Sequence, residues 1–200
     1  MDDRSERDRI IEAGHLGRVE TARSGLRHPS PMVRTAAIGA VARIGILELD
    51  DLLGGLADPH QSVRHRAITE AAHFTGATND DRDLLQALTD LIDNETTAEA
   101  AIWALGERDD TDTLVVERLM DVATAHPDTL CREAAVAALG SIGDPRALSA
   151  VLSASYDKAT VRRRAIIALA AFEGEEVEER LRAALDDRDW QVSQTAEDLL

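Results

Sequence analysis

Aromatic side chains make up only 2 % of the 200 residues, so the apolar share of 44 % rests mainly on Ala, Leu, Ile and Val. A core of such small residues needs close helix-to-helix approach, and few residues of the chain are ones enriched in strands. Cys131 is the single cysteine, which excludes an internal disulfide framework. No apolar run approaches the roughly 18 residues of a membrane span. The opening stretch MDDRSERDRII holds no apolar segment long enough for a secretory signal. These absences lead to the expectation of a cytoplasmic, all-α chain with no membrane association.

Positive charge is also scarce. Lys158 is the only lysine, and 38 Asp and Glu stand against 22 Lys and Arg, giving a formal net charge of −16. A field of that sign repels a phosphate backbone and an anionic lipid surface, so nucleic acid is not an expected partner. The acids are spread along the whole chain rather than gathered in one tract. That distribution, with one Lys and much Ala, resembles the composition of proteins from haloarchaea, where strong screening keeps dense acidic surfaces soluble. An acidic surface made for a basic partner is the other reading of the same charge.

What the chain has in quantity is repetition. Segments beginning at Val33, Val63, Thr97, Cys131, Val161 and Val192 align, with starts separated by 30, 34, 34, 30 and 31 residues. Four residues after each start stands an alanine: Ala37, Ala67, Ala101, Ala135, Ala165 and Ala196. Eight after it come Val41, Ala71, Leu105, Leu139, Leu169 and Leu200. These columns share one side of a 3.6-residue helix, so each unit carries one buried helix with an alanine where two helices touch. Upstream of each lies a second amphipathic pattern, such as Leu84, Leu85, Leu88, Leu91 and Ile92. Breakers separate the two: HPSP from His28, DPHQ from Asp58, HPDT from His126, DDRD from Asp186. Gly45, Gly76, Gly106, Gly143 and Gly174 fit C-caps of the second helix, where positive φ is needed.

Each unit thus reads helix A, tight turn, helix B, glycine turn. The unit boundaries fall near 17–46, 47–77, 78–109, 110–143, 144–174 and 175–200, after an N-terminal capping half-repeat over 1–16. With no linker or composition shift, one domain over 1–200 is expected. Leu199 and Leu200 fall on the apolar face of the last B helix, leaving that end without a polar cap. A monomer is expected, with self-association through this end as the alternative.

The pattern Cys131-Arg132 through Ala138-Leu139-Gly140 to Ile142-Gly143-Asp144-Pro145-Arg146-Ala147 resembles the short HEAT-like repeats named after phycobilisome (PBS) lyases. The resemblance runs from about residue 17 to 200 and implies an α-solenoid of about six HEAT-like helical hairpins. It also implies a ladder between neighbouring repeats. An acid in the A–B turn (Asp58, Asp93, Asp157, Asp187) would pair with the arginine opening helix B (Arg34, Arg64, Arg132, Arg162). Ala98 and Ser193 depart from the pattern, and the ladder should break there. Trp190 stands as a turn aromatic expected to pack.

Known chemistries of this fold each leave a signature. Deoxyhypusine hydroxylases bind two irons through His-Glu dipeptides, and the sequence contains none. Glycosylases of the fold need a basic, aromatic groove for bent DNA, which the charge opposes. His65 and His73 lie eight apart on one helix, too far to share an ion without a third element. Cys131 takes a valine slot and reads as a small buried hydrophobe. No nucleophile elbow or phosphate loop is present, so no catalytic, metal or cofactor site is expected.

The remaining candidate is surface. In HEAT-type stacks the B helices line the concave side, and the solvent-facing B positions form a ladder across it. Those columns supply Arg43, His65, Arg66, His73, Glu99, Trp103, Glu107, Arg163, Arg164 and Ile167. A central tryptophan flanked by arginines is the composition of an interface hot spot. The expected function is a non-catalytic scaffold or adaptor binding a protein or peptide that carries acidic and apolar residues. The alternative is an accessory subunit of a lyase or other prosthetic-group enzyme.

Overall fold

The computed structural model describes residues 2–75, 82–108 and 112–200. Among them are thirteen α-helices and no strand. By internal contacts the chain divides into two compact units, one reaching to Ala104 and one starting at Leu105.

The first unit opens with α1 (Asp3–Leu16), followed by α2 (Val19–Ser24), α3 (Pro31–Ile44), α4 (Leu49–Leu56), α5 (Gln61–Ala71) and α6 (Arg82–Asp90). α7 (Ala98–Gly106) spans the division. α1 packs on α3, α3 on α5, α4 on α5, and α4 on α6. The even-numbered A helices and odd-numbered B helices therefore form two layers. α1 behaves as a first B helix, its Ile10 and Ala13 fully buried against Val33, Ala37 and Ala40.

The second unit contains α8 (Thr113–Ala125), α9 (Thr129–Ile142), α10 (Leu148–Ala154), α11 (Ala159–Ala168), α12 (Glu175–Ala184) and α13 (Trp190–Leu199). Here α8 packs on α9, α9 on α11, α11 on α13, and α8 on α10. The same two layers recur.

Two kinds of close approach explain why small residues recur. All six repeat alanines, from Ala37 to Ala196, are completely buried. Within a repeat the alanine meets a small residue of its own A side: a Cβ on Gly25 or Gly55 would lie 2.8 Å from Ala37 Cβ or Ala67 Cβ. Between successive B helices the contact is glycine on alanine. A Cβ on Gly14 would come within 2.9 Å of Ala40, one on Gly106 within 2.6 Å of Ala138, and one on Gly140 within 2.6 Å of Ala168. Gly106 is thus a packing residue inside α7 rather than the expected C-cap. Gly45 and Gly143 do end α3 and α9 with φ of 80° and 67°, in the left-handed region that only glycine enters cheaply. Gly174 has φ 126° but stands before α12, not after α11. Gly76 and the repeat boundaries at 77/78 and 109/110 lie outside the described residues.

The arginine ladder is built by one repeated gesture. Arg34 Nη1 donates to the carbonyls of His28 and Pro29 in its own turn, each at 2.9 Å. Its Nε and Nη2 then donate to both Asp58 oxygens in the next turn, at 2.7 and 2.8 Å. Arg132 repeats this on His126, Pro127 and Asp157. Arg162 grips both oxygens of Asp187 at 2.9 and 2.7 Å. Each carboxyl is held below the ordinary carboxylate range, chiefly by the arginine hydrogen bonds.

Arg64 makes only half of the gesture. Its Nη1 reaches the carbonyls of Asp58 and Pro59 at 2.9 and 3.0 Å, but its Nη2 meets the Thr96 hydroxyl at 3.2 Å. Asn94, not Asp93, occupies the ladder position: its Oδ1 accepts from Thr96 N at 3.0 Å, as Asp58 Oδ1 accepts from His60 N at 2.9 Å. Among the described residues Arg64 Nε is left buried without a partner. The ladder therefore breaks one step earlier than the substitution at Ala98 predicts.

Candidate binding groove

The B-helix side of the first unit contains a groove of about 610 Å³ between α1, α3 and α5. α1 supplies Arg7 and Ile11; α3 and its approach supply Pro31, Met32, Thr35, Ala36, Gly39 and Arg43; α5 and its approach supply His60, Ser62 and Arg66. The walls are mainly apolar side chains and stems, with Met32 43 % exposed. Three guanidinium groups stand around them, and none of the eleven lining residues carries a carboxylate.

Local sequence explains each position. Pro31 at the first turn of α3 sets φ without losing a needed donor, and so fixes where Met32 emerges. His60 precedes α5 and turns its Nδ1 to Ser62, whose hydroxyl lies 2.8 Å away and 3.2 Å from Thr35 Oγ1. That His–Ser contact caps a helix, since His60 Nδ1 also accepts from Ser62 N at 3.3 Å. Arg66 pairs with Glu70 one turn along α5 at 2.7 Å. Its guanidinium lies directly over Gly39, where an added Cβ would sit 2.1 Å from Arg66 Nη2. Arg7 pairs with Asp8 at 2.8 Å. Arg43 is exposed and makes no ion pair among the described residues.

Of the surface residues expected from the repeat alignment, Arg43 and Arg66 line this groove. His65 is half-buried and tied to the Thr96 carbonyl at 2.6 Å. His73 and Trp103 form an edge-to-face pair, ring centroids 6.1 Å apart at 83°, and Trp103 remains 39 % exposed. Glu99 is exposed on α7. In the second unit Glu107 is exposed, Arg163 half-buried, and Ile167 43 % exposed. Arg164 reaches Glu133 at 3.7 Å. Trp190, expected to pack, is 72 % exposed at the start of α13. Met32 escapes the sequence reading because it precedes the repeat start at Val33 and falls outside the surface columns. Arg7 and Ile11 escape it because α1 reads there as a cap, not as a B helix. The signal is present in Gly14, a glycine facing the next B helix as Gly140 does.

The model of the HEAT repeats family matches residues 82–159, and that of the PBS lyase HEAT-like repeat matches residues 161–187. The chain is a HEAT-repeat protein. Together the two matches cover more than half of it, and α2 with α3, α4 with α5, α8 with α9, α10 with α11 and α12 with α13 pack as successive hairpins.

Solved structures share the architecture. An engineered protein from a structural genomics consortium aligns with 100 % of this chain and 98 % of its own, at TM-score 0.62 and 19 % identity. A designed armadillo repeat protein in complex with the peptide (KR)4 aligns over 89 % of this chain and 96 % of its own, at TM-score 0.60 and 17 % identity. Human deoxyhypusine hydroxylase, in complex with glycerol, aligns over 97 % and 77 %, at TM-score 0.50 and 18 % identity. Such identities speak for the helical-repeat fold alone. No curated protein matches the sequence. Among the described residues no group of three or more His, Cys, Asp or Glu is placed to hold a metal ion, and no helix is long and apolar enough to cross a membrane.

Proposed function

We propose that this HEAT-repeat protein is a non-catalytic binding module, a scaffold or adaptor that holds a protein or peptide segment against its B helices. The groove between α1, α3 and α5 carries the reading: it is open, walled by apolar atoms, and framed by directional donors. Pockets of that make-up suit side-chain anchoring by a partner. The designed armadillo repeat protein of similar fold is itself solved with a peptide, which supports a peptide-sized occupant. A net charge of −16 makes nucleic acid an unsuitable partner.

The test is selection of a displayed random-peptide library on the purified protein, in parallel with Ala36→Trp, which fills the groove. The expected result is enrichment of related sequences by the wild type and their loss on the folded variant. Equal enrichment on both proteins, or none on either, would defeat the groove as the binding site.

A further inference from the structure

Resting on the binding reading above, we propose that the groove of the first unit recognises a short acidic segment bearing an apolar anchor side chain. Arg43 and Arg66 would take its carboxylates, and Gly39 keeps the Arg66 guanidinium laid across α3.

Charge distribution sets the occupant. The chain carries 38 acidic against 22 basic side chains, yet among the described residues this groove is lined by three arginines and no acid. A second cavity of the same unit shows the contrast, since its lining mixes Arg23 and Arg27 with Asp50, Asp51 and Asp58. A local positive patch inside a negative field attracts an anionic segment only at short range, so the arginines act on a ligand already seated. Arg7 and Arg66 each have a carboxylate partner outside the lining, Asp8 and Glu70. Arg43 has none among the described residues and is the first position for a ligand carboxylate. Met32 and Ile11 provide the apolar surface between them.

Gly39 adds an independent observation. Glycine in the middle of a helix is unfavourable relative to alanine. Its neighbour is the far end of a flexible side chain, not backbone, so folding does not demand glycine there. What glycine permits is the pose of Arg66, whose Nη2 would lie 2.1 Å from a Cβ at position 39. The glycine positions a recognition arginine at the expense of helix propensity.

The experiment is fluorescence anisotropy with a short labelled peptide of glutamates and two leucines. Its lysine counterpart and a leucine-to-serine version serve as controls, at low and high salt. The acidic peptide should bind at low and at high salt, because salt screens the repulsive field of the chain before the seated arginine contacts, and both controls should fail. Arg43→Glu should weaken binding about tenfold. Gly39→Ala should weaken it severalfold while its Tm is unchanged or higher. Arg188→Glu, the same charge change in the other unit, should leave it unaltered. No binding of the acidic peptide, equal binding of the lysine peptide, or indifference to Arg43→Glu and Gly39→Ala would overturn the proposal. If library selection still yields groove-dependent peptides without acids, only the acidic assignment falls; if it yields none, the binding reading falls with it.

Discussion

Asn94→Asp should stabilise the protein by completing the arginine ladder at its broken step. Arg64 already sits in the ladder pose, with Nη1 on the carbonyls of its own turn at 2.9 and 3.0 Å, as Arg34 does at 2.9 Å. The carboxylate would arrive in an Asx turn that Asn94 already forms with Thr96 N at 3.0 Å, so the backbone need not move. It would supply a partner for Arg64 Nε, a buried donor that has none among the described residues. A buried unsatisfied polar group costs about 1–3 kcal/mol, while an exposed ion pair adds only about 0–1 kcal/mol. Arg64 is half-buried, so a gain of about 1–2 kcal/mol is expected.

Urea denaturation of wild type, Asn94→Asp, Arg64→Met and the double variant gives the coupling directly. The pH dependence has a fixed sign. In the existing rungs Asp58, Asp157 and Asp187 all have lowered pKa, so each contributes stability above the unfolded value of about 3.9 and loses it as pH falls through the folded one. The gain from Asn94→Asp should follow the same course, full at pH 7 and absent in acid. A neutral or destabilising effect at pH 7, or a gain that persists once carboxylates are protonated, would refute the ladder account.

Further outcomes follow from the same contacts. Asp187→Ala leaves Arg162, a buried side chain, without its two carboxylate bonds, and should cost about 3 kcal/mol in the same denaturation assay. Gly140→Ala forces a methyl to 2.6 Å from Ala168 Cβ and 2.9 Å from its Cα, so a loss of about 1–3 kcal/mol is expected. Gly54→Ala, on α4 with nothing within 4 Å of the added carbon, should instead gain about 0.5–1 kcal/mol. Thermal melts of the two glycine variants side by side would settle whether close B-helix approach, rather than glycine as such, is the requirement. Rising KCl should raise Tm of the wild type, because 38 acids against 22 bases repel one another until screened.

The hairpin repeats were legible because their cause is local. A helix buries one stripe, so the spacing from Val33 to Ala37 to Val41 announces both the helix and its inward face. Breakers such as Asp58-Pro59 fall where the chain must turn. The ladder was partly legible for the same reason, since Arg34 and Asp58 hold fixed positions in successive repeats. It failed at Asn94: Asp93 precedes its repeat start by four residues, as the ladder residue Asp157 does, yet the Asx turn onto Thr96 N forms at Asn94.

Other features had no one-dimensional signature. Sequence periodicity marks Trp103 as facing outward, but only the fold sets His73 edge-on against it at 6.1 Å. The same holds for the groove: Arg7, Met32 and Arg66 belong to three helices and share no spacing rule. The sequence by itself determined an all-helical repeat, the inward alanines and the excess of acid, because each follows from neighbours along the chain. Tertiary structure alone decided which arginines gather around acid-free surface and which glycines meet an alanine or a guanidinium. Those depend on the lateral approach of helices roughly 30 residues apart, set by side-chain volume at the contact.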